Sequence, residues 1–436
     1  MMWKTAVSLL SLLSLAQAQG TSTTVNLGGG IQTRSDVKSY ADIALDLRDI
    51  KAANNNIATI NQIYQQGRNS LPNPNGGIPF ALANIGNVLH SNFPTPNYLF
   101  HQYGIAGRSP TLTDENKNYA SRHIQNLLSS NTGIALVSDA ILALDLWMYA
   151  SHLLYSGALL CEEKTLAENP DLVNIGIELK GGGMDEFIAL WIGTNQEAGT
   201  TNGYSLYAWA EKAAELFGTS EVEANVNSNI KLLYEEGSIA LSLANACTAE
   251  NPKTAWRVWN VVQQMVHQMT VPLIQTLTYM LIQENAPAVQ IYAQALVPHL
   301  SQCRPSVHDR LTDLLLSDTG VEFGKTKEIL AMLHDSLTCF GLSCRDIGAL
   351  TGVPDSGCTS SPEDFPILAG FTTSSDVKAV SVRLCCVDMI YTNRFICFSS
   401  FCSARIAVST RLGCTPIGNL DRFGCHPIRQ NALQIR

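Results

Sequence analysis

Apolar residues recur at three- and four-residue spacing over most of residues 36–340, which is the period of a helix packed on one face. In "DVKSYADIALDLRDIKAANNN" this spacing places Val37, Tyr40, Ile43, Ala44, Leu47 and Ile50 on one side, with Ser35 positioned to cap the N-terminus. A second helix, "NIATINQIYQQG", is expected to end at Gly67, a residue suited to the positive φ that closes helices. Residues 71–96 hold five prolines and an Asn-Gly-Gly break, so this stretch reads as a long loop with at most one short helix. Helical spacing resumes at "TDENKNYASRHIQNLL" and returns in "YSLYAWAEKAAELFG", "VNSNIKLLYEEGSIALSLANAC", "TAWRVWNVVQQMVHQM", "PLIQTLTYMLIQ" and "APAVQIYAQALVPHL". Strand-like alternation is scarce before residue 365. The expected fold class is therefore mainly α, a large helical body over residues 36–371.

Three segments depart from this pattern. The stretch Ala135 to Leu160 approaches membrane-spanning length, yet Asp139, Asp145 and His152 would sit in the hydrocarbon at high cost, so a buried central helix is expected. Residues 1–18 combine Lys4, a short apolar run and the triplet Ala16-Gln17-Ala18, the form of a secretory signal peptide cleaved after Ala18. After residue 380 the chain becomes rich in Cys, Phe and Arg without either period, so 380–436 reads either as a small disulfide-stapled appendage or as an irregular Cys-rich tail with no fold of its own. One internal echo, Ile60 to Gly67 against Ile230 to Gly237, allows two related helical lobes, 36–193 and 203–340; two independent helices ending in Tyr-x-x-Gly explain it equally well.

Composition narrows the function. With 46% hydrophobic and 15% charged residues, the chain can bury a large core. Its net charge of −9 and scattered basic residues argue against a nucleic-acid partner. Twelve cysteines behind a secretory signal read as disulfides, with the pairing left open. The expected location is thus secreted, periplasmic or cell-surface, with no transmembrane segment in the mature chain.

The glycine run "GGGMDEFIALWIG", Gly181 to Gly193, lacks both the Gly-Lys-Ser/Thr ending of a phosphate loop and the Gly-x-Gly-x-x-Gly of a dinucleotide fold. Acidic residues follow it, and in a first helical turn these favour the helix dipole while repelling phosphate. Neither a Gly-x-Ser-x-Gly elbow nor a His-Glu-x-x-His motif occurs. Hard cations suit the remaining chemistry, because ferric iron prefers carboxylate and phenolate oxygen with an occasional imidazole. Asp185 and Glu186, with Tyr64, Tyr204, Tyr207, Tyr234 and Tyr279, supply such donors on otherwise apolar helices. Each tyrosine alone also fits a core-edge ring, and His152 a buried histidine satisfied by its neighbours.

Several separated motifs, in order, resemble the algal Fe-assimilating protein family, whose diatom members are called phytotransferrins. They are "INQIYQQGRNS", "MDEFIALWIG" followed by "GYSLYAWAEKAAELFGT", "VNSNIKLLYEEG", "MTVPLIQTLTYM", and the closing "CRDIGAL" and "PILAGF". Met184 stands where the family pattern has Trp, and the residues after 380 lie outside the resemblance. The resemblance implies a non-enzymatic protein that captures ferric iron with carbonate as a synergistic anion and passes it to a membrane iron transporter or endocytic receptor. By matching motif it implies Asp185 and Glu186 as carboxylate ligands, Tyr64, Tyr204 and Tyr234 as phenolate or supporting groups, and Arg68 as a carbonate partner. Acidification, by protonating carbonate or a phenolate, would release the metal. Two other readings stay open: a structural or adhesive surface protein that kept the fold and lost the site, and a secreted hydrolase using paired carboxylates.

Overall fold

The computed structural model describes residues 27–70, 81–88, 119–130, 134–167, 183–353 and 356–358. The expected signal peptide, Gly181 and Gly182, and the expected tail after residue 380 lie outside these residues. The chain divides into two units, Met1–Ile367 and Leu368–Arg436. All that follows concerns the first unit.

The fold is mainly α, and no β-strand occurs among the described residues. The helices of nine residues or more are α1 (Ile43–Ala52), α2 (Ile57–Gln66), α3 (Tyr119–Ser129), α4 (Trp147–Leu166), α5 (Met184–Ile192), α6 (Leu206–Phe217), α7 (Asn225–Leu241), α8 (Lys253–Ile282), α9 (Ala286–Leu296), α10 (Pro305–Leu315) and α11 (Thr326–Asp335). A short helix, Leu82–Val88, falls within the proline-rich stretch.

The longest element, α8, organises the body. Val258, Val262, Met265, Met269, Leu273 and Leu277 are all fully buried, and α4, α6, α7 and α9 pack around it. Pro272 lies inside this helix and removes the N–H that the Gln268 carbonyl would otherwise accept. One residue further on, the Met269 carbonyl accepts a 2.8 Å hydrogen bond from Trp147 Nε1, which ties α8 to α4 beside this break. A single hydrophobic core runs from Leu27 to Ile347, drawing on helices from both sides of residues 193–203.

The expected central helix belongs to a 33-residue helical run, Ile134–Leu166. The run contains a π-helical segment, Ile141–Leu146, ahead of α4. By length and apolarity it meets the requirement for a membrane span, but 67% of its most apolar window is buried inside the protein. That is the burial of a core helix: α4 packs on α8 and α5, and Asp145, Ser151 and His152 face inward with the apolar residues.

The first helix differs from its expected form. Instead of one helix capped by Ser35, a short helix, Lys38–Ala41, is followed by a break at Asp42 and then α1. Val37 stands at the N-cap of the short helix, and the Ser35 hydroxyl bonds elsewhere. The six body cysteines form three disulfides, Cys161–Cys247, Cys303–Cys339 and Cys344–Cys358. The first joins α4 to the segment after α7, across 86 residues of chain.

Candidate functional site

Gly183 decides how α5 begins. Its φ of 77° is left-handed, and a Cβ there would lie 2.2 Å from the Leu153 carbonyl oxygen, so only glycine lets the chain cross α4 this closely. The Phe187 N–H returns to the Gly183 carbonyl at 3.0 Å and starts the helix. Asp185 and Glu186 therefore enter a first turn anchored directly on α4. Successive residues on a helix point about 100° apart, and the two acids face different surroundings.

Asp185 turns inward and is 1% exposed. Its Oδ2 accepts from the backbone N–H groups of Arg34 and Ser35, both at 2.8 Å, and from the Ser35 hydroxyl at 2.7 Å. Its Oδ1 accepts from the Tyr234 hydroxyl at 2.7 Å. Two of the residues expected to bind metal thus meet, each bonded to the other. Burial, followed by the Asp185 charge, pushes the Tyr234 phenol well above its usual range. The four bonds pin the segment ahead of Lys38–Ala41 to α5 and α7.

Glu186 faces a different group. The short helix carrying Tyr40 packs on α5, and so does α4, which carries Tyr149 and His152 one turn apart. The Tyr40 and Tyr149 rings stack with centroids 6.5 Å apart and planes 5° from parallel, and their hydroxyls share a hydrogen bond. His152 stacks on Tyr149 at 5.8 Å, and its Nδ1 lies 3.4 Å from the Ser156 hydroxyl. Burial, then the negative charge of Glu186, pushes the Tyr40 phenol up to about 12. Burial, then the neighbouring Tyr40 and Glu186, hold the Tyr149 phenol well above its usual range. Burial pushes the His152 imidazolium down to about 4, leaving a neutral imidazole at physiological pH. Two hydrogen-bonded phenols thus feel the Glu186 charge, and a neutral imidazole stacks on one of them, the four side chains coming from three helical elements.

The other expected residues lie elsewhere. Tyr64 is fully buried, its hydroxyl 3.2 Å from Ser121 Oγ, and it faces Asp145. Tyr204 is 39% exposed at the wall of a cavity, with the Lys51 ammonium 6.0 Å from its ring centre. Tyr279 lines the same cavity, whereas the Tyr207 hydroxyl accepts from the Gly199 N–H at 2.8 Å and donates to Glu223. Arg68 is exposed and lies 3.4 Å from Asp49. The anion beside Gly67 is the protein's own: Asp46, fully buried, accepts from the backbone N–H groups of Arg68, Asn69 and Ser70 at 3.3, 2.6 and 3.3 Å.

Sequence reasoning put Tyr40 on the apolar face of the first helix and His152 in the central helix, and passed over Tyr149. The available signal was the Tyr149-x-x-His152 spacing on a helix otherwise built of apolar residues. Among the described residues, no three His, Cys, Asp or Glu side chains gather as a metal-holding group. The oxygen-rich cluster above is defined instead by its tyrosines. No protein family, curated protein or solved structure matches the chain.

Proposed function

We propose that the protein captures ferric iron through Tyr40, Tyr149 and Glu186, with His152 as the nitrogen donor, and that it serves iron uptake outside the cytosol. The observation carrying this reading is the convergence of two phenols, a carboxylate and a neutral imidazole at the crossing of Lys38–Ala41, α4 and α5. Hard, highly charged cations favour anionic oxygen, and phenolate is the most basic oxygen donor a protein side chain offers. The same basicity keeps both phenols protonated without metal, so binding would displace protons and strengthen as pH rises. Four side chains leave coordination positions open on a ferric ion. Carbonate, the anion implied by the resemblance to the Fe-assimilating proteins, would fill them. Delivery to a membrane transporter or endocytic receptor belongs to the same proposal.

Calorimetric titration of the metal-free protein with a ferric chelate, with and without bicarbonate, tests this reading. Near-stoichiometric uptake only with bicarbonate is expected; absence of uptake in both conditions removes the proposal. One observation favours a second reading, a surface protein with this fold and no metal site: Asp185 and Tyr234 spend their hydrogen bonds on internal struts. On that reading, iron and bicarbonate leave the thermal midpoint unchanged.

A further inference from the structure

A different part of the body carries chemistry that the phenol cluster does not use. A cavity of about 200 Å³ has Trp209, Tyr279 and Tyr292 in its wall, from α6, α8 and α9. It adjoins a more open, polar cleft of about 440 Å³, and the two share Lys51, Gly203, Tyr204, Ser205 and Lys212. An apolar chamber thus opens to solvent past two lysines.

The polar groups of the chamber wall are largely committed. Trp209 Nε1 donates to Thr276 Oγ1 at 3.0 Å, and Gln275 Nε2 donates to Thr219 Oγ1 and to the Ile347 carbonyl at 3.0 and 2.9 Å. Much of what remains in the wall is apolar, including Leu47, Leu142 and Met280 and the rings of Trp209 and Tyr292, stacked at 5.9 Å. The lysines differ: among the described residues neither Lys51 nor Lys212 forms an ion pair within 4.0 Å. Each repels the other strongly enough to register on Lys212, whose ammonium is held below its usual value first by burial and then by Lys51. Asp139 is the carboxylate among the described residues of the same wall that offsets them, and burial raises it. The mouth therefore keeps one positive charge in excess beside an aromatic wall.

We propose that this cavity binds a small aromatic carboxylate, its ring against Trp209, Tyr279 and Tyr292 and its carboxylate held between Lys51 and Lys212. Each feature selects for part of that chemistry. The paired ammonium groups call for an anion, and the aromatic wall calls for a flat apolar body, which inorganic anions lack. The chamber is smaller than the roughly 300–1,000 Å³ typical of drug-sized ligands, which limits the body to a single ring. Asp139 provides an acceptor for a ring hydroxyl and disfavours a second carboxylate.

The test is calorimetric titration of the full metal-free chain with 4-hydroxybenzoate, benzylamine and inorganic phosphate. 4-Hydroxybenzoate should bind, with benzylamine and phosphate each weaker by about tenfold or more, the factor set by one well-placed charge or apolar contact. Lys51→Gln and Lys212→Gln, both at exposed positions, should each weaken 4-hydroxybenzoate about tenfold while leaving the thermal midpoint in place. Equal binding of benzylamine or phosphate, no binding of 4-hydroxybenzoate, or wild-type affinity in the double Lys→Gln variant would overturn the proposal.

Discussion

Replacing Asp185 by alanine separates the two acids of the glycine-led turn by their consequences. The substitution removes four hydrogen bonds of 2.7–2.8 Å to a carboxylate that is 1% exposed. It also takes away the carboxylate oxygen to which the N–H groups of Arg34 and Ser35 both donate. Hydrogen bonds to a charged group contribute about 1.5–3 kcal/mol each, and they do not add fully within one network. Removing the shared acceptor leaves neutral donors of the buried cluster unsatisfied at about 1–3 kcal/mol each, so a total loss of roughly 3 kcal/mol or more is expected. Asp185→Asn should lose less, roughly 1–2 kcal/mol, because the amide oxygen can keep the paired N–H groups while its NH₂ donates to the Tyr234 oxygen. Glu186→Gln, at a half-buried position facing two neutral phenols, should change stability by under about 1 kcal/mol. The assay is equilibrium urea unfolding of the metal-free protein with disulfides intact, followed by far-UV circular dichroism. If Asp185→Ala unfolds within about 1 kcal/mol of the wild type, the strut does not exist. If that variant is stable but fails to take up iron, Asp185 is a ligand and the assignment to Glu186 is wrong.

Three further outcomes follow from other parts of the fold. Gly183→Ala should cost more than about 2 kcal/mol, since it combines a φ of 77° with a Cβ 2.2 Å from the Leu153 oxygen; Gly320→Ala, with a φ of 93° and open space around it, should cost about 1 kcal/mol. Urea midpoints of the two variants check this contrast. Burial raises Asp145 well above its usual 3.8, so its contribution to stability is full below that value and is lost as pH rises toward its folded value; Asp145→Asn should therefore gain on the wild type between pH 4 and neutrality in a pH series of urea unfolding curves. His299 is held down to about 3 by burial, so the unfolded chain takes up a proton below about 6.5 that the folded chain refuses. Stability should then fall with pH below that value, and His299→Phe should reduce the slope by about 1.4 kcal/mol per pH unit.

The positions of the helices were readable from spacing because each needs only local periodicity. Gly67 and Gly193 stand at helix ends with positive φ for the reason glycine is favoured there. Ser35 shows where local reasoning stops. It stands where a cap belongs, but Asp185, 150 residues away, takes both its hydroxyl and its N–H, and a buried carboxylate outcompetes an exposed helix end. The phenol cluster escaped for a related reason. Tyr40, Tyr149 and Glu186 come from three elements, and each alone looks like a ring or an acid at the edge of a core. Asp185 and Glu186 were visible as a pair, whereas their directions depended on the crossing of α5 over α4, which Gly183 permits. Asp46 likewise fills the loop after Gly67 that sequence reading had assigned to carbonate, and only the fold of α1 against α2 places it there.

The central claim is that Tyr40 and Tyr149 become phenolates on iron. Phenolate bound to ferric iron gives a visible charge-transfer band, so the spectrum of the iron-loaded protein reports on the ligands themselves. On loading with ferric iron and bicarbonate the band should appear. It should weaken in Tyr40→Phe and in Tyr149→Phe, vanish in the double variant, and persist in Tyr64→Phe and Tyr234→Phe. A band that survives the double variant, or iron bound without any such band, would contradict the account.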